Sequence, residues 1–145
     1  MSEAIKKDGF EIILEYVKDL SIETPDAKTV TFVRDNFNNY IMDIDISSLL
    51  LKNKMLEVTT KLTLQDKKNS ELKSFFEIKY ATVIKISETI KDKNTIGKIV
   101  LCDLQNFLYP KIEKIFLDLI RNSGYPEINF EKKVDFEKLY NEKFN

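Results

Sequence analysis

The sequence predicts an α+β domain in which an antiparallel sheet comes first and helices follow. Apolar and polar residues alternate with period two in four runs between Phe10 and Ile86, which is typical of strands covered on one side. From about Thr95 to Arg121 the apolar period changes to about 3.6 residues, which indicates a long helix. Strands followed by helices in a chain of 145 residues therefore indicate a single domain spanning residues 1–145.

Four strands are predicted, each with one apolar face. They are expected at Phe10–Glu23, Tyr40–Ile46, Met55–Leu64 and Phe75–Ile86. Residues 1–9 precede the first run and are expected to form a flexible N-terminus. The connections Ser48–Asn53 and Asp66–Leu72 are short and polar enough for hairpins, whereas Thr24–Asn39 is a long connection that contains two phenylalanines.

Two helices are predicted after the sheet. Pro110 lies inside the long helical run and is expected to kink or split it, because proline removes a helix hydrogen bond. Gly124 suits the left-handed position just after a helix end. Asp135 is a candidate N-cap for a short final helix. The predicted fold is a four-stranded antiparallel sheet followed by a long kinked helix and a short C-terminal helix.

Composition argues against much familiar enzyme chemistry. The chain has no histidine, so it lacks the commonest general base and the commonest metal ligand. With three glycines it cannot assemble a phosphate-binding glycine loop. The net charge of −1 does not favour a nucleic-acid partner. We expect a protein that is not an enzyme and that needs no cofactor.

The sequence also predicts a cytoplasmic location. The N-terminal residues contain no apolar run that could act as a signal sequence. No stretch approaches the roughly 18–20 apolar residues that cross a bilayer, so membrane insertion is not expected. Cys102 is the only cysteine, which excludes an intramolecular disulfide and fits a reducing compartment.

The segment Tyr16–Pro25 is predicted to be a strand with two chemically different faces. Its side chains alternate, so Leu20 and Ile22 should face one side of the sheet. The opposite side is expected to carry Val17, Asp19, Ser21 and Glu23. Asp19 and Glu23 then lie about 13 Å apart, too far to share one metal ion or one proton. This spacing suits a flat acidic docking surface, although solvated charges on an exposed strand would look the same.

Four further residues have competing interpretations. Phe75 lies on the polar face of its strand beside Glu77, where it could be an apolar anchor within a charged rim. Asp43 and Asp45 form an acidic pair, but no histidine or further carboxylate clearly completes a metal shell. We therefore expect solvated acids and no metal site. Cys102 falls among apolar helix positions and is expected to be a small core or interface residue.

Five motifs in order resemble the SecB family of protein-export chaperones. The resemblance covers about Phe10 to Tyr140. It is carried by Tyr16–Pro25, Met42–Asp45, Phe75–Ala81, Leu108–Pro110, and the C-terminal pair Gly124–Pro126 and Val134–Tyr140.

The resemblance implies a non-enzymatic homotetramer, built as a dimer of dimers. Such proteins hold unfolded secretory precursors and deliver them to the motor ATPase SecA. By motif, the SecA-docking residues would be Asp19, Glu23, Phe75 and Glu77. The positions matching the client-binding groove are Tyr40, Met42, Ile44, Phe136, Leu139 and Tyr140.

Some features depart from the family pattern. Typical members are strongly acidic, whereas this chain is nearly neutral. Asp103, Leu104 and Gln105 stand where the long helix usually carries a Cys-Pro step. These departures leave open a SecB-like chaperone that binds the antitoxin of a toxin–antitoxin pair. A small α+β enzyme or ligand-binding protein is a further alternative, which would need one deep pocket with convergent polar groups.

Overall fold

The computed structural model describes residues 4–130 and 133–144. One antiparallel sheet has the strand order β1-β2-β5-β4-β3. Its strands are β1 (Ile5–Lys7), β2 (Phe10–Glu23), β3 (Tyr40–Leu50), β4 (Met55–Asp66) and β5 (Phe75–Ile86). The predicted α+β class is confirmed, but the predicted number of four strands is wrong because the sheet has five.

The additional strand lies in the N-terminal segment 1–9, for which the sequence predicted flexibility. Ile5–Lys7 pairs with the start of β2 through a tight turn in which Gly9 has a φ of +88°. Glycine adopts this left-handed conformation without a steric penalty. Residues 1–3 of the same segment lie outside the described part of the chain. A strand of three residues is too short to show the alternation on which the prediction rested.

The long connection after β2 contains a helix that the sequence analysis did not predict. Helix α1 spans Ala27–Asp35, and a short 3-10 turn follows at Phe37–Asn39. Asp26 caps α1, because its carboxylate accepts a hydrogen bond of 2.9 Å from the backbone N–H of Thr29. Several β-branched residues weaken the helical propensity of this segment, which explains why it was missed.

The predicted long helix is continuous but irregular near its start. It consists of α2 (Lys93–Lys98), a π-helical segment (Ile99–Asp103) and α3 (Leu104–Asn122). Helix α3 runs through Pro110 without a split, and the π-helical segment is an irregularity nearer the start of the long helix. The final helix α4 spans Phe136–Phe144.

Both predicted helix-end signals are confirmed. The carboxylate of Asp135 accepts a hydrogen bond of 3.0 Å from the backbone N–H of Lys138 in the first turn of α4. Gly124 follows the end of α3 with a φ of +114°. Its carbonyl oxygen accepts a hydrogen bond of 2.7 Å from Nε of Arg34, which ties the end of α3 to α1.

A buried glutamine accompanies the π-helical segment. Gln105 is fully buried, and its Nε2 donates to the backbone oxygen of Val100 at 3.1 Å. Its Oε1 accepts a hydrogen bond of 2.9 Å from the hydroxyl of Thr60 on β4. Since a buried amide without partners is costly, this pair of bonds holds the irregular helix at one place on the sheet.

The sheet has an inner face covered by helices and an outer face that is largely exposed. Even-numbered residues of β3, β4 and β5 point to the inner face, and odd-numbered residues point to the outer face. The core lies between the inner face and α3. Its fully buried apolar members include Leu62, Phe76, Ile78, Ile84, Leu104, Leu108, Ile112, Phe116 and Ile120.

Two bulges in β2 change which of its residues share a face. The register shifts between Ile12 and Leu14 and again between Val17 and Asp19. Val17 pairs with inward-facing Tyr80, so the prediction that it shares a face with Asp19 is wrong. Leu14 pairs with Val83 on the outer face and is 46% exposed, so it does not continue the core face begun by Phe10.

Candidate protein-docking and client-binding surfaces

The four residues matched to SecA docking lie together at one corner of the outer face. Glu23 pairs directly with Phe75, and the neighbouring pair is Ser21 with Glu77. The next outer-face position of β2 is Asp19. Side chains on one face of adjacent antiparallel strands lie about 5 Å apart across the pair and about 7 Å apart along a strand. We call Asp19, Glu23, Phe75 and Glu77 the docking corner.

The docking corner combines an exposed aromatic ring with carboxylates. Phe75 is 41% exposed, whereas Phe76, the next residue on the same strand, is fully buried. Asp19 and Glu23 are exposed, and Glu77 is half-buried. The hydroxyl of Ser21 donates to Oδ2 of Asp19 at 3.3 Å. An exposed ring within a rim of carboxylates can bind a partner that offers an apolar contact together with basic groups.

A second cluster on the outer face was not found by the sequence reasoning. The hydroxyl of Tyr16 on β2 donates to Oε1 of Glu57 on β4. This bond crosses over β5, where Ala81 pairs with Tyr16 on one side and with Thr59 on the other. The other carboxylate oxygen of Glu57 lies 3.6 Å from Nζ of Lys18. The hydrogen bond to Glu57, with burial and the nearby negative charge, raises the pKa of Tyr16.

The strand residues matched to client binding form a half-buried apolar strip on the inner face. We call Tyr40, Met42 and Ile44 the client-binding strip. Tyr40, Met42 and Ile44 alternate along β3 and point to the same side of the sheet. Because β3 is the last strand of the sheet, this strip borders an unpaired strand edge. Phe37 extends the strip, since its ring stacks on that of Tyr40 with a centroid distance of 5.3 Å.

The helix residues matched to client binding have unequal exposure. Leu139 is 41% exposed on α4, and Tyr140 is half-buried, with its hydroxyl donating to the backbone oxygen of Asn94 at 3.1 Å. Phe136 is 2% exposed and packs edge-on against Tyr109, with ring centroids 5.4 Å apart. Phe136 is therefore buried beneath this surface, while the apolar side chain of Leu139 is exposed on it.

Tyr109 of α3 connects the two parts of this surface. Its ring contacts Phe136 of α4, and its hydroxyl donates to the sulfur of Met42 on β3 at 3.3 Å. Burial raises the pKa of Tyr109, so its hydroxyl keeps the proton that it donates. Its place in the motif Leu108-Tyr109-Pro110 was visible in the sequence. Its contacts with two distant elements were not.

Other candidate chemistry receives no support from the described residues. No group of three or more His, Cys, Asp or Glu side chains in residues 4–130 and 133–144 could hold a metal ion. Asp43 instead lies 3.5 Å from Nζ of Lys67. Cys102 is 3% exposed, and burial raises the pKa of its thiol, which disfavours the reactive thiolate. Across the same described ranges, the helices are too short or too polar for any to span a bilayer.

Comparison with known proteins identifies the family. The model of one protein family, described as preprotein translocase subunit SecB, matches residues 3–145. The chain belongs to the SecB family. The resemblance predicted from the five motifs is confirmed by a match that covers almost the whole chain.

Relatives with SecB names cover most of this chain. A protein of Pelagibacter ubique, provisionally named a protein-export protein SecB, is 45% identical over 138 residues, which are 95% of this chain and 99% of that protein. A protein-export protein SecB of Afipia carboxidovorans is 28% identical over 141 residues, covering 96% of this chain and 84% of the relative.

A solved structure supports the SecB fold. A SecB-like chaperone of Mycobacterium tuberculosis, in complex with an antitoxin peptide, superposes with a TM-score of 0.58 and 12% sequence identity. The match covers 87% of this chain and 92% of that protein. The α+β arrangement of antiparallel sheet, long helix and short C-terminal helix is thus the SecB fold.

Proposed function

We propose that this chain is a holdase that binds unfolded precursor proteins and delivers them to the export motor SecA. Its mechanism is binding rather than catalysis. The client-binding strip would contact apolar segments of an unfolded protein, together with Leu139 and Tyr140 of α4. Aromatic and methionine side chains suit varied sequences, because contact area and adaptable packing replace precise hydrogen bonding.

The docking corner is proposed to bind SecA. The observation that carries this proposal is the register that places Glu23 opposite Phe75 and Ser21 opposite Glu77 on an exposed face. Phe75 would be the apolar anchor, and the surrounding carboxylates would orient a basic partner surface. Because the client-binding strip lies on the inner face, docking and client binding would use different sides of the sheet.

A homotetramer, arranged as a dimer of dimers, is part of the proposal. The long helix keeps several apolar side chains half-buried after it has covered the sheet: Leu101, Phe107, Ile115 and Leu119. Burying them against a second subunit would remove apolar surface from water. Several client surfaces in one assembly would strengthen binding through avidity. The role proposed for this assembly places it in the cytoplasm, where precursors are held before export.

SecA affinity of charge-reversal variants tests the docking proposal. Glu77→Lys should weaken SecA binding by tenfold or more, because it reverses a charge within the proposed interface. Glu88→Lys makes the same change at an exposed residue beyond the far end of β5 and serves as the matched control. Equal affinities of the two variants would argue against the docking corner as the SecA site.

A second candidate function keeps the fold and changes the client. The net charge of −1 is unlike the strong acidity of typical family members, which weakens the case for electrostatic docking to SecA. A chaperone of an antitoxin would need the client-binding strip but not the docking corner. Wild-type protein that suppresses aggregation but shows no SecA binding would favour this alternative.

A further inference from the structure

The centre of the outer face contains two lysines directly opposite each other. Lys61 of β4 pairs with Lys79 of β5. Asp19 on β2 pairs with Lys79, and Asp45 on β3 pairs with Lys61. These residues form a single row across four strands. From β2 through β5 and β4 to β3 it consists of an acid, two bases and a second acid. The docking corner begins at one end of this row and continues along the next two outer-face positions of β2 and β5.

Neither lysine forms a close ion pair within the part of the chain that the structure describes. Both are half-buried, whereas Asp19 and Asp45 are exposed. The ion pairs with N···O distances of 4 Å or less within residues 4–130 and 133–144 involve Lys18, Lys67, Lys111 and Lys114, and neither Lys61 nor Lys79. Like charges directly opposite on one sheet face are unfavourable. The register thus places two adjacent positive charges at the centre of a face whose docking corner is acidic.

We propose that Lys61 and Lys79 form a specificity element that receives an acidic side chain of the docking partner. This inference rests on the proposed docking function and adds a requirement to it. A purely basic partner surface would match the docking corner but would be repelled by the lysine pair. Charge complementarity instead requires a carboxylate that reaches the lysine pair and basic groups that reach the docking corner. The partner surface is thus expected to carry both signs of charge within roughly 10 Å.

Neutralising one lysine at a time tests this inference. Lys79→Gln and Lys61→Gln remove a charge while keeping most of the side chain, and SecA is the probe for binding by calorimetric titration. Lys85→Gln is the matched control, because Lys85 lies on the same strand and the same face, six residues from Lys79. The three variants have equal net charge, so a change in overall charge affects them equally.

The expected result is a specific loss of affinity. Lys79→Gln and Lys61→Gln should each weaken SecA binding roughly threefold to tenfold relative to Lys85→Gln. Unchanged or tighter binding by both variants would overturn the inference while leaving the docking proposal intact, since the lysines would then be neutral or repulsive. If wild-type protein showed no SecA binding at all, the docking proposal would fail and the inference would fail with it.

Discussion

The hydroxyl of Tyr109 lies 3.3 Å from the sulfur of Met42, which joins the long helix to the last strand of the sheet. The same tyrosine ring packs edge-on against Phe136 of α4. One side chain therefore positions both the strand and the helix that carry the proposed client-binding surface. Its substitution should affect stability first and client binding second.

Two substitutions of Tyr109 should separate its hydroxyl from its ring. Tyr109→Phe keeps the ring but removes the hydroxyl that donates to sulfur, and it should lower the free energy of unfolding by about 0.5–1 kcal/mol. Tyr109→Ala leaves a cavity and should cost about 3–5 kcal/mol. Urea unfolding monitored by circular dichroism measures the free energy of unfolding of both variants. A decrease for Tyr109→Ala that is no larger than that for Tyr109→Phe would contradict the packing role of the ring.

Gln105 should be important for the stability of the irregular helix. Gln105→Ala removes the acceptor of the Thr60 hydroxyl and the donor to the backbone oxygen of Val100. Because the Thr60 hydroxyl would then be buried without its partner, the free energy of unfolding should fall by about 1–3 kcal/mol. The double variant that combines Gln105→Ala with Thr60→Val should lose less free energy of unfolding than the two single variants lose together. Strict additivity would show that the two side chains do not cooperate.

Alkaline pH should destabilise the fold through tyrosines that are buried or half-buried. Burial raises the pKa of Tyr40, Tyr80 and Tyr109 above the ordinary value of 10.0. A group with a raised pKa in the folded state contributes stability that is complete below its unfolded pKa. That contribution is lost as the pH rises toward the folded pKa.

Urea unfolding at a series of pH values measures this effect. The free energy of unfolding should fall from about pH 10 upward, and the fall should be smaller in Tyr80→Phe, which removes one of the titrating groups. In the folded protein Tyr80 donates to Oε1 of Glu15 at 2.9 Å, so the variant should also be less stable at neutral pH. If the free energy of unfolding fell by the same amount in Tyr80→Phe as in wild type, Tyr80 would not contribute to the alkaline transition.

Phe75 should matter for docking but not for folding. Phe75→Ala removes an exposed ring, so the free energy of unfolding should change by less than about 0.5 kcal/mol. SecA binding should weaken by about tenfold or more if the ring is the apolar anchor of the interface. Leu49→Ala is the control, because Leu49 is 60% exposed on the outer face at the far end of β3. Equal SecA affinities of the two variants would show that Phe75 is not part of the interface.

The regular strands could be predicted from the sequence because one physical pattern governs them. The predicted starts of β3, β4 and β5 are correct, since the burial of each strand alternates between its two faces over much of its length. The faces of Phe75 and Glu77 were therefore predictable, and Asp19 and Glu23 share a face because both lie beyond the second bulge of β2. The bulges in β2 were not predictable, because a bulge moves one residue without a clear local sequence signal.

The helical irregularities were beyond local sequence reasoning. Pro110 was expected to kink or split the long helix, and α3 passes through it without a split. The π-helical segment Ile99–Asp103 occurs in residues with no obvious helix-breaking signal. That segment depends on the bond from Gln105 to Val100 and on the contact of Gln105 with Thr60, which lies 45 residues earlier in the chain. Tertiary contacts of this kind override local preference.

The pairing of Lys61 with Lys79 shows how register adds information about the site. Each lysine looks like an ordinary solvated charge in its own strand. Only the register of β4 and β5 places them opposite each other and between two aspartates. The outer face that carries the docking corner is therefore mixed in charge at its centre.

Suppression of aggregation tests the central claim most directly. A reduced, unfolded polypeptide is diluted from denaturant into buffer with increasing amounts of the purified protein, and light scattering is recorded over time. A holdase should lower the scattering progressively and abolish most of it near stoichiometric amounts. Scattering that stays unchanged at a stoichiometric excess of folded protein would contradict the chaperone function proposed for this chain.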